Sequence, residues 1–92
     1  MIVSIRHKGL RRYWETGSAK GLRADWVPRL RRQLLALDAA TRPEDMDFPG
    51  YRFHALKGRE AGRYSIRATG NRRLTFTFDG VDAVLIDLED YH

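Results

Sequence analysis

Cysteine is absent from the sequence, and so are long apolar runs. Without cysteine the chain has neither disulfides nor thiolate chemistry, which is compatible with a reducing compartment. No apolar run approaches the ~20 residues that span a bilayer. The opening Met1-Ile2-Val3-Ser4-Ile5 is too short, before the charges that follow it, to be a signal peptide. We therefore expect a cytoplasmic protein with no membrane partner.

Metal-ligand and nucleotide-binding patterns are also missing. The histidines, His7, His54 and His92, have no recognisable ligand spacing. The acidic residues in the last part of the sequence lack the glycine and oxygen-ligand pattern of a calcium loop. Residues 58–62 lack the Lys-Ser/Thr pair of a phosphate loop. We therefore expect no metal site and no cofactor.

Positive charge is concentrated in two blocks. Residues 1–35 carry nine Lys or Arg and two Asp or Glu, and residues 51–76 carry seven basic residues and one acidic residue. Acidic residues predominate in the other two blocks, residues 36–50 and 77–92. Basic clusters raise the local concentration of polyanions such as nucleic acid. A solvated, arginine-rich surface without any partner has the same composition.

The first half of the sequence predicts a short strand and a short helix before its clearest element. Residues 1–6 alternate in the manner of a strand. Residues 9–15 are predicted to form a helix, and Gly17 and Ser18, which follow it, are the predicted stop signal. One further turn is expected at residues 43–47, before Pro49-Gly50 breaks the chain.

The clearest predicted element is an amphipathic helix. Its apolar stripe has three- and four-residue spacing and consists of Val27, Leu30, Leu34 and Leu37. Asp25 is the predicted N-cap, and Pro28 lies in the first turn, where its missing N–H is tolerated. We expect this helix to end near Ala39 or Ala40.

The second half predicts an antiparallel meander. Four segments have strand character: residues 51–54, 63–68, 73–78 and 81–88. Gly70-Asn71 and Asp79-Gly80 are turn signals between the last three. The predicted class is therefore α+β, with an N-terminal strand and two helices packed on an antiparallel sheet, in a single domain over residues 1–92.

Alternation in the predicted strands separates an apolar face from a polar face. If Leu74 and Phe76 face the core, Arg73 points to the other side, and by the same parity Arg67 opposes Ile66. Two arginines on adjacent strands would then share one exposed face. On pattern alone, a solvated sheet surface is the simpler interpretation.

Three parts of the sequence, in order along the whole chain, resemble the HigB branch of the RelE/ParE toxin superfamily, the plasmid-maintenance killer proteins. They are Ile2-Val3-Ser4-Ile5-Arg6-His7-Lys8-Gly9-Leu10; Leu35-Ala36-Leu37-Asp38-Ala39-Ala40-Thr41 with Leu56-Lys57-Gly58; and Gly62-Arg63-Tyr64-Ser65-Ile66-Arg67, Asn71-Arg72-Arg73-Leu74-Thr75-Phe76 and Asp90-Tyr91-His92. Each part alone is weak, whereas the ordered set is specific. The resemblance implies the RelE-like microbial RNase fold.

The resemblance further implies a type II toxin that acts as a ribosome-dependent mRNA endonuclease, or mRNA interferase. The implied reaction is metal-free attack of a ribose 2′-hydroxyl on the adjacent phosphate, which leaves a 2′,3′-cyclic phosphate and a 5′-hydroxyl. The implied partners are the ribosome, messenger RNA and a cognate helix-turn-helix antitoxin. Operator DNA would be contacted only indirectly, through the antitoxin.

Site residues are also implied by the resemblance. The catalytic candidates are His54, Lys57, Arg73, Asp90, Tyr91 and His92, and the RNA-binding candidates are Arg67, Asn71 and Arg72. Imidazoles suit proton transfer near neutral pH, and Arg73 and Lys57 suit the developing charge of a phosphorane. Asp90 could orient an imidazole, and Tyr91 could stack on a base. The general base stays open among His54, Tyr91 and His92.

Other interpretations remain open beside this one. Gly70 and Arg72 depart from the residue types of many relatives, which puts substrate preference in doubt. A gyrase-directed toxin of the ParE branch would keep the fold, although the set of His54, Lys57, Arg73, Tyr91 and His92 is atypical of gyrase poisons. A non-catalytic module would show salt-sensitive RNA binding without cleavage. The helix arginines Arg11, Arg12, Arg29, Arg31 and Arg32 could form only a solvated helix surface, and from their charge we favour ribosomal RNA contacts.

Overall fold

The structure, a computed structural model, describes residues 1–90, so the predicted site residues Tyr91 and His92 lie outside the described residues. Its helices and strands are α1 (Lys8–Thr16), α2 (Val27–Ala39), β1 (His54–Ala55), β2 (Tyr64–Arg67), β3 (Arg72–Asp79) and β4 (Asp82–Asp90). Short 3-10 helices occupy Ala24–Trp26, Pro43–Met46 and Gly58–Glu60. The predicted α+β class is confirmed. Among the described residues, no helix has the length and apolarity that crossing a bilayer requires.

The four strands form one antiparallel sheet in the order β1-β2-β3-β4. Asp79 pairs with Asp82, so the β3–β4 hairpin turns through Gly80 and Val81. Gly80 has φ 64°, a left-handed conformation that costs glycine little and that tight hairpins require. The predicted hairpin is therefore confirmed, with its loop one residue later than the Asp79-Gly80 signal.

The N-terminal segment is extended beside β4, as the alternation predicts, but it forms no continuous ladder. It makes two isolated parallel bridges, from Ile2 to Ala83 and from Ile5 to Ile86. Between them, Leu85 has φ 53°, and its N–H donates to the Ser4 hydroxyl at 2.8 Å. This irregularity of β4 interrupts the pairing, because one backbone donor is turned from the ladder to a side chain.

The first helix is one residue longer at each end than predicted. The unprotonated Nδ1 of His7 accepts the Leu10 N–H at 3.1 Å and so caps its start. Gly17 ends the helix with φ 80°, and its N–H donates to the Tyr13 carbonyl. Leu10 is the residue that α1 buries.

The predicted N-cap of the second helix is wrong. Residues Ala24–Trp26 form a 3-10 turn, and the helix begins at Val27, with Pro28 in its first turn. The Asp25 carboxylate binds the Arg23 guanidinium, at 3.1 and 3.2 Å, rather than a helix N–H. A charge-assisted, two-point bond to a residue two positions away competes with the cap for the same oxygens. The predicted end at Ala39 is confirmed.

The apolar stripe of α2 packs against one face of the sheet. Leu30, Leu34 and Leu37 are fully buried and belong to one cluster with the strand residues Ile66, Leu74, Phe76, Ile86 and Leu88. Strand alternation sends the intervening side chains of β2, β3 and β4 to the opposite face. The core therefore fixes which side chains the second face of the sheet can present.

Candidate active site

Register brings predicted site residues from separate strands onto the second face of the sheet. His54 lies opposite Ser65, and Arg67 lies opposite Arg73. Arg73 in turn lies opposite Glu89. Side chains of directly opposed residues point to the same side of a sheet, so these residues share what we call the polar face. It contains the predicted residues His54, Arg67 and Arg73, together with Ser65, Thr75 and Glu89.

Arg73 occupies the middle of the polar face. Its Nη1 donates to the Ser65 hydroxyl at 3.2 Å. The half-buried guanidinium is therefore held by a neighbouring strand before any ligand binds. A guanidinium that is already oriented loses less freedom when it binds phosphate oxygens.

A buried arginine supports this face from the side of β2. Arg63 is only 9% exposed and donates to the Thr75 hydroxyl at 2.8 Å. Thr75 donates to the Glu89 carboxylate, which also lies 4.0 Å from Arg63. Glu60 adds a second carboxylate, 3.5 Å from the Arg63 Nε. The buried charge thus has two acidic partners, which a buried cation requires.

Sequence reasoning missed the residues of this network. Thr75 lies two residues after Arg73, and residues two apart in a strand point to the same face. Strand alternation could therefore have predicted Thr75 as a residue of the polar face. Nothing local marks Arg63 as buried, because an arginine at a strand start is normally solvated. Glu89 joins the site through its register opposite Arg73.

His54 lies at the β1 edge of the polar face and is exposed. Its Nδ1 is 2.6 Å from the Arg52 carbonyl oxygen, which fixes the plane of the ring. Lys57 lies three residues later, immediately before the Gly58–Glu60 turn, and is also exposed. Its ammonium makes no hydrogen bond or ion pair with any other residue in the range 1–90. Lys57 therefore has its full donor capacity available for a ligand.

An arginine-lined cleft of about 220 Å³ adjoins Arg73. It is lined by Arg52, Arg67, Gly70, Asn71, Arg72 and Arg73. The three predicted RNA-binding residues are thus together at one cleft with Arg73. Arg52 was not among the predicted site residues, although it lies in the second basic block. No carboxylate lines this cleft within the described part of the chain, so it is suited to an anion, and guanidinium forks match phosphate oxygens.

Asp90 is placed differently from the other predicted catalytic residues. Its carboxylate binds the Arg72 Nη1 at 2.8 Å, and the Arg72 guanidinium lies 4.7 Å from the Trp26 ring centroid. Strand alternation points the Asp90 side chain to the opposite side of β4 from Glu89, toward Arg72 and Trp26. Asp90 nevertheless still lines the pocket on the polar face that Arg73, Thr75 and Glu89 also line. With strands spaced about 4.8 Å apart, His54 and Asp90 are separated by about 14 Å or more across the sheet. The structure does not bring the Asp90 carboxylate to the His54 imidazole.

Metal ligands are not clustered in the part of the chain that the structure describes: residues 1–90 contain no group of three His, Asp or Glu side chains placed to hold an ion. The predicted catalytic residues Tyr91 and His92 follow Asp90 and have no described geometry.

Comparison with known proteins agrees with the resemblance of the motifs. Residues 3–92 match the model of a family described as the RelE-like toxin HigB of type II toxin–antitoxin systems. The chain is also 40% identical to "Endoribonuclease HigB" of Proteus vulgaris over 92 residues, which is all of both chains. The match spans the arginine cleft, the polar face and the helices that support them. This chain therefore belongs to the HigB-like toxin family of type II toxin–antitoxin systems.

Proposed function

We propose that this protein is a ribosome-dependent endoribonuclease that cleaves messenger RNA without a metal ion and so inhibits translation. The observation that carries the proposal is the polar face shared by His54, Arg67 and Arg73, because the last two of these residues also line a cleft that has four arginines in its lining. The relative from Proteus vulgaris is named as an endoribonuclease, which supports the same reaction class.

The proposed reaction is an internal transfer at phosphorus. A base takes the proton of a ribose 2′-hydroxyl while the 2′-oxygen forms a bond to the adjacent phosphorus. The bond from phosphorus to the 5′-oxygen breaks, and an acid protonates that oxygen. The products are a 2′,3′-cyclic phosphate and a 5′-hydroxyl. Base and acid each contribute about 10²–10⁴ in rate when they are correctly placed.

The arrangement supplies the cations that this transition state needs. Arg73 is held by Ser65 at the arginine-lined cleft, while Lys57 has no partner among residues 1–90. Preorganised cations stabilise the negative charge that develops on the phosphorane oxygens. Arg67, Asn71 and Arg72 line the adjacent cleft and would hold the RNA backbone. Tyr91 and His92 remain predicted catalytic residues.

The partners follow from the family and from charge. A type II toxin has an antitoxin as partner. We propose that this antitoxin is a helix-turn-helix protein, and that the toxin contacts operator DNA only through it. We propose ribosomal RNA as the partner of the exposed helix arginines Arg11, Arg12, Arg31 and Arg32. Arg29 differs from them, because its guanidinium lies 5.5 Å from the Tyr51 ring centroid and reaches the Arg67 carbonyl at 3.5 Å.

A cleavage assay on translating ribosomes tests the proposal. The purified protein should cut a defined message at discrete sites, and Lys57→Ala and Arg73→Ala should each reduce the cutting rate at least about tenfold, as loss of transition-state charge stabilisation does. Arg59→Ala is the matched control, because Arg59 is an exposed cation two residues from Lys57 that lines no cleft or pocket of the site. Unchanged cutting by Lys57→Ala and Arg73→Ala, or equal loss in the control, would contradict the proposal.

A further inference from the structure

The hydrogen bond between Arg52 and His54 determines which imidazole nitrogen carries a proton. The His54 Nδ1 lies 2.6 Å from the Arg52 carbonyl oxygen. A carbonyl oxygen only accepts, so Nδ1 must be the donor. In the neutral ring the second nitrogen, Nε2, then carries the lone pair. The ring is thereby held in its Nδ1–H form.

We infer that Arg52 is a positioning residue that holds His54 as the general base, with Nε2 as the atom that takes the 2′-hydroxyl proton. This inference rests on the proposed function, and it selects His54 from the three candidates that the sequence left open. When Nε2 takes the proton, Nδ1–H still donates to the Arg52 carbonyl. The same bond therefore supports the ring before and after proton transfer. In the opposite tautomer, Nδ1 and the carbonyl would both be acceptors and would repel.

The backbone at Arg52 is adapted to this contact. Arg52 has φ 51°, and among the described residues only Leu85 is another non-glycine residue with positive φ. Residues with a side chain adopt this conformation rarely, and it persists where surrounding contacts impose it. Here the Arg67 N–H donates to the Tyr51 carbonyl at 2.6 Å, and the Leu56 N–H donates to the Arg63 carbonyl at 2.8 Å. One bond joins Tyr51 to Arg67 in β2, and the other joins Leu56 to Arg63, the residue before β2. The chain is thus held on both sides of Arg52.

Arg52 also reaches the substrate cleft. Arg52 lines the cleft together with Arg67 and Arg73. His54 lies opposite Ser65, the residue that binds the Arg73 guanidinium. The carbonyl of Arg52 thus contacts the base, while the residue also brings a positive charge to the adjoining cleft. A substitution at this position therefore has two separable effects.

Two variants separate these effects. Arg52→Gly and Arg52→Val both remove the cation from the cleft. Glycine adopts positive φ readily, whereas β-branched valine strongly disfavours it. We expect Arg52→Gly to keep the bond between the carbonyl and His54, and Arg52→Val to lose it. The readout is the 15N NMR spectrum of the His54 ring, recorded where the ring is neutral, because its two nitrogen shifts report the tautomer directly.

The expected spectra show Nδ1 protonated in the unmodified protein and in Arg52→Gly, and a shift toward protonated Nε2 in Arg52→Val. In the ribosome assay, Arg52→Val should have a kcat at least about tenfold below that of Arg52→Gly at similar KM, since a misplaced base forfeits acid–base catalysis. Arg52→Gly and Arg52→Val should both cut more slowly than the unmodified protein, because both remove a cation. Arg52→Lys keeps a cation and should recover this shared part of the lost cutting rate.

Several results would overturn the inference. One is an unmodified protein whose His54 carries its proton mainly on Nε2. Another is an identical tautomer and an identical kcat in Arg52→Gly and Arg52→Val. If Arg52→Val does not fold, the tautomers of the unmodified protein and of Arg52→Gly decide the question. Absence of any cutting by the unmodified protein would instead contradict the proposed function, and the spectra would then still show whether Arg52 holds the ring.

Discussion

Arg67 and Arg73 lie directly opposite each other on β2 and β3, so two guanidinium groups share one face of the sheet. Like charges in this position oppose each other and destabilise the strand pair. Arg73 is turned toward Ser65, and both arginines line the cleft. The folded protein thus keeps two like charges together at this cleft at some expense of its own stability. An anion bound between the charges would relieve the repulsion.

Arg67→Gln should therefore stabilise the protein in the absence of RNA. We expect the free energy of unfolding to rise by about 0.2–1 kcal/mol, the range of cross-strand charge pairs. The gain should shrink as salt is added, because salt screens exposed charges. Urea denaturation at low and high ionic strength measures both effects.

The control for this prediction is Arg31→Gln. It removes the same charge from an exposed position on α2 whose side chain has no hydrogen bond or ion pair within residues 1–90. Its unfolding free energy should change by less than about 0.5 kcal/mol, as for an ordinary surface substitution. An equal gain in both variants would point to net charge rather than to the Arg67–Arg73 pair.

Asp90 should affect RNA cleavage through Arg72. The carboxylate binds the Arg72 guanidinium at 2.8 Å and is turned to the opposite side of the strand from Arg73. Removing Asp90 frees the guanidinium of Arg72, a residue that lines the arginine cleft. Asp90→Ala and Arg72→Ala should therefore be non-additive in cleavage rate, with a coupling energy of at least about 0.5 kcal/mol.

A second double-mutant cycle serves as the control. Lys57 and Asp90 share no contact, so Lys57→Ala and Asp90→Ala should be additive in the logarithm of the rate within about 0.5 kcal/mol. If Asp90 instead acted directly on a catalytic group, its loss would lower the rate as much in Arg72→Ala as in the unmodified protein. That result would exclude a role that passes through Arg72.

The turn after α2 should make stability sensitive to acid. The pKa of Asp45 is lowered from 3.8, first because the Thr41 backbone N–H donates to its carboxylate, and further because of the Arg42 side chain, while desolvation opposes the shift. A carboxylate with a depressed folded pKa contributes stability that is present above its unfolded pKa. That contribution is lost as the pH falls through the folded value. Asp45 should therefore stabilise the protein at neutral pH and cease to do so well below pH 3.8.

Thermal unfolding as a function of pH tests this expectation. Asp45→Asn should have a lower Tm than the unmodified protein at pH 7, and the two curves should converge in strong acid. Asp47→Asn is the control, because its carboxylate has no hydrogen bond or ion pair with the described residues. A Tm difference for Asp45→Asn that does not vary with pH would contradict the linkage.

Local periodicity was sufficient to predict the elements that bury an apolar face. The spacing of Leu30, Leu34 and Leu37 predicted α2 and its buried side, because a helix aligns residues three and four apart whatever surrounds it. Alternation around Leu74 and Phe76 placed Arg73 on the other face of β3 for the same kind of reason. The start of α2 was less predictable, because Arg23 competes with the helix for the carboxylate of Asp25.

The motifs of the sequence, together with their order, identified the family and predicted candidate residues of its active site. They predicted His54, Arg67 and Arg73 as site residues, since a motif records residue type and spacing. The motifs could not predict whether Asp90 faces these residues. The direction of its side chain depends on the register of β4 against β3, which pairs Arg72 with Asp90 and Arg73 with Glu89.

The amino-acid sequence by itself thus determined the class of fold, the buried faces and the family. Only the tertiary structure decided which polar groups meet: Arg63 beneath Thr75 and Glu89, Arg52 with its carbonyl on His54, and four arginines around one cleft. The physical reason is that helix and strand periodicity act over a few residues. Contacts between strands depend on register, bulges and backbone conformations such as that of Arg52, which are imposed by the packing of the whole chain.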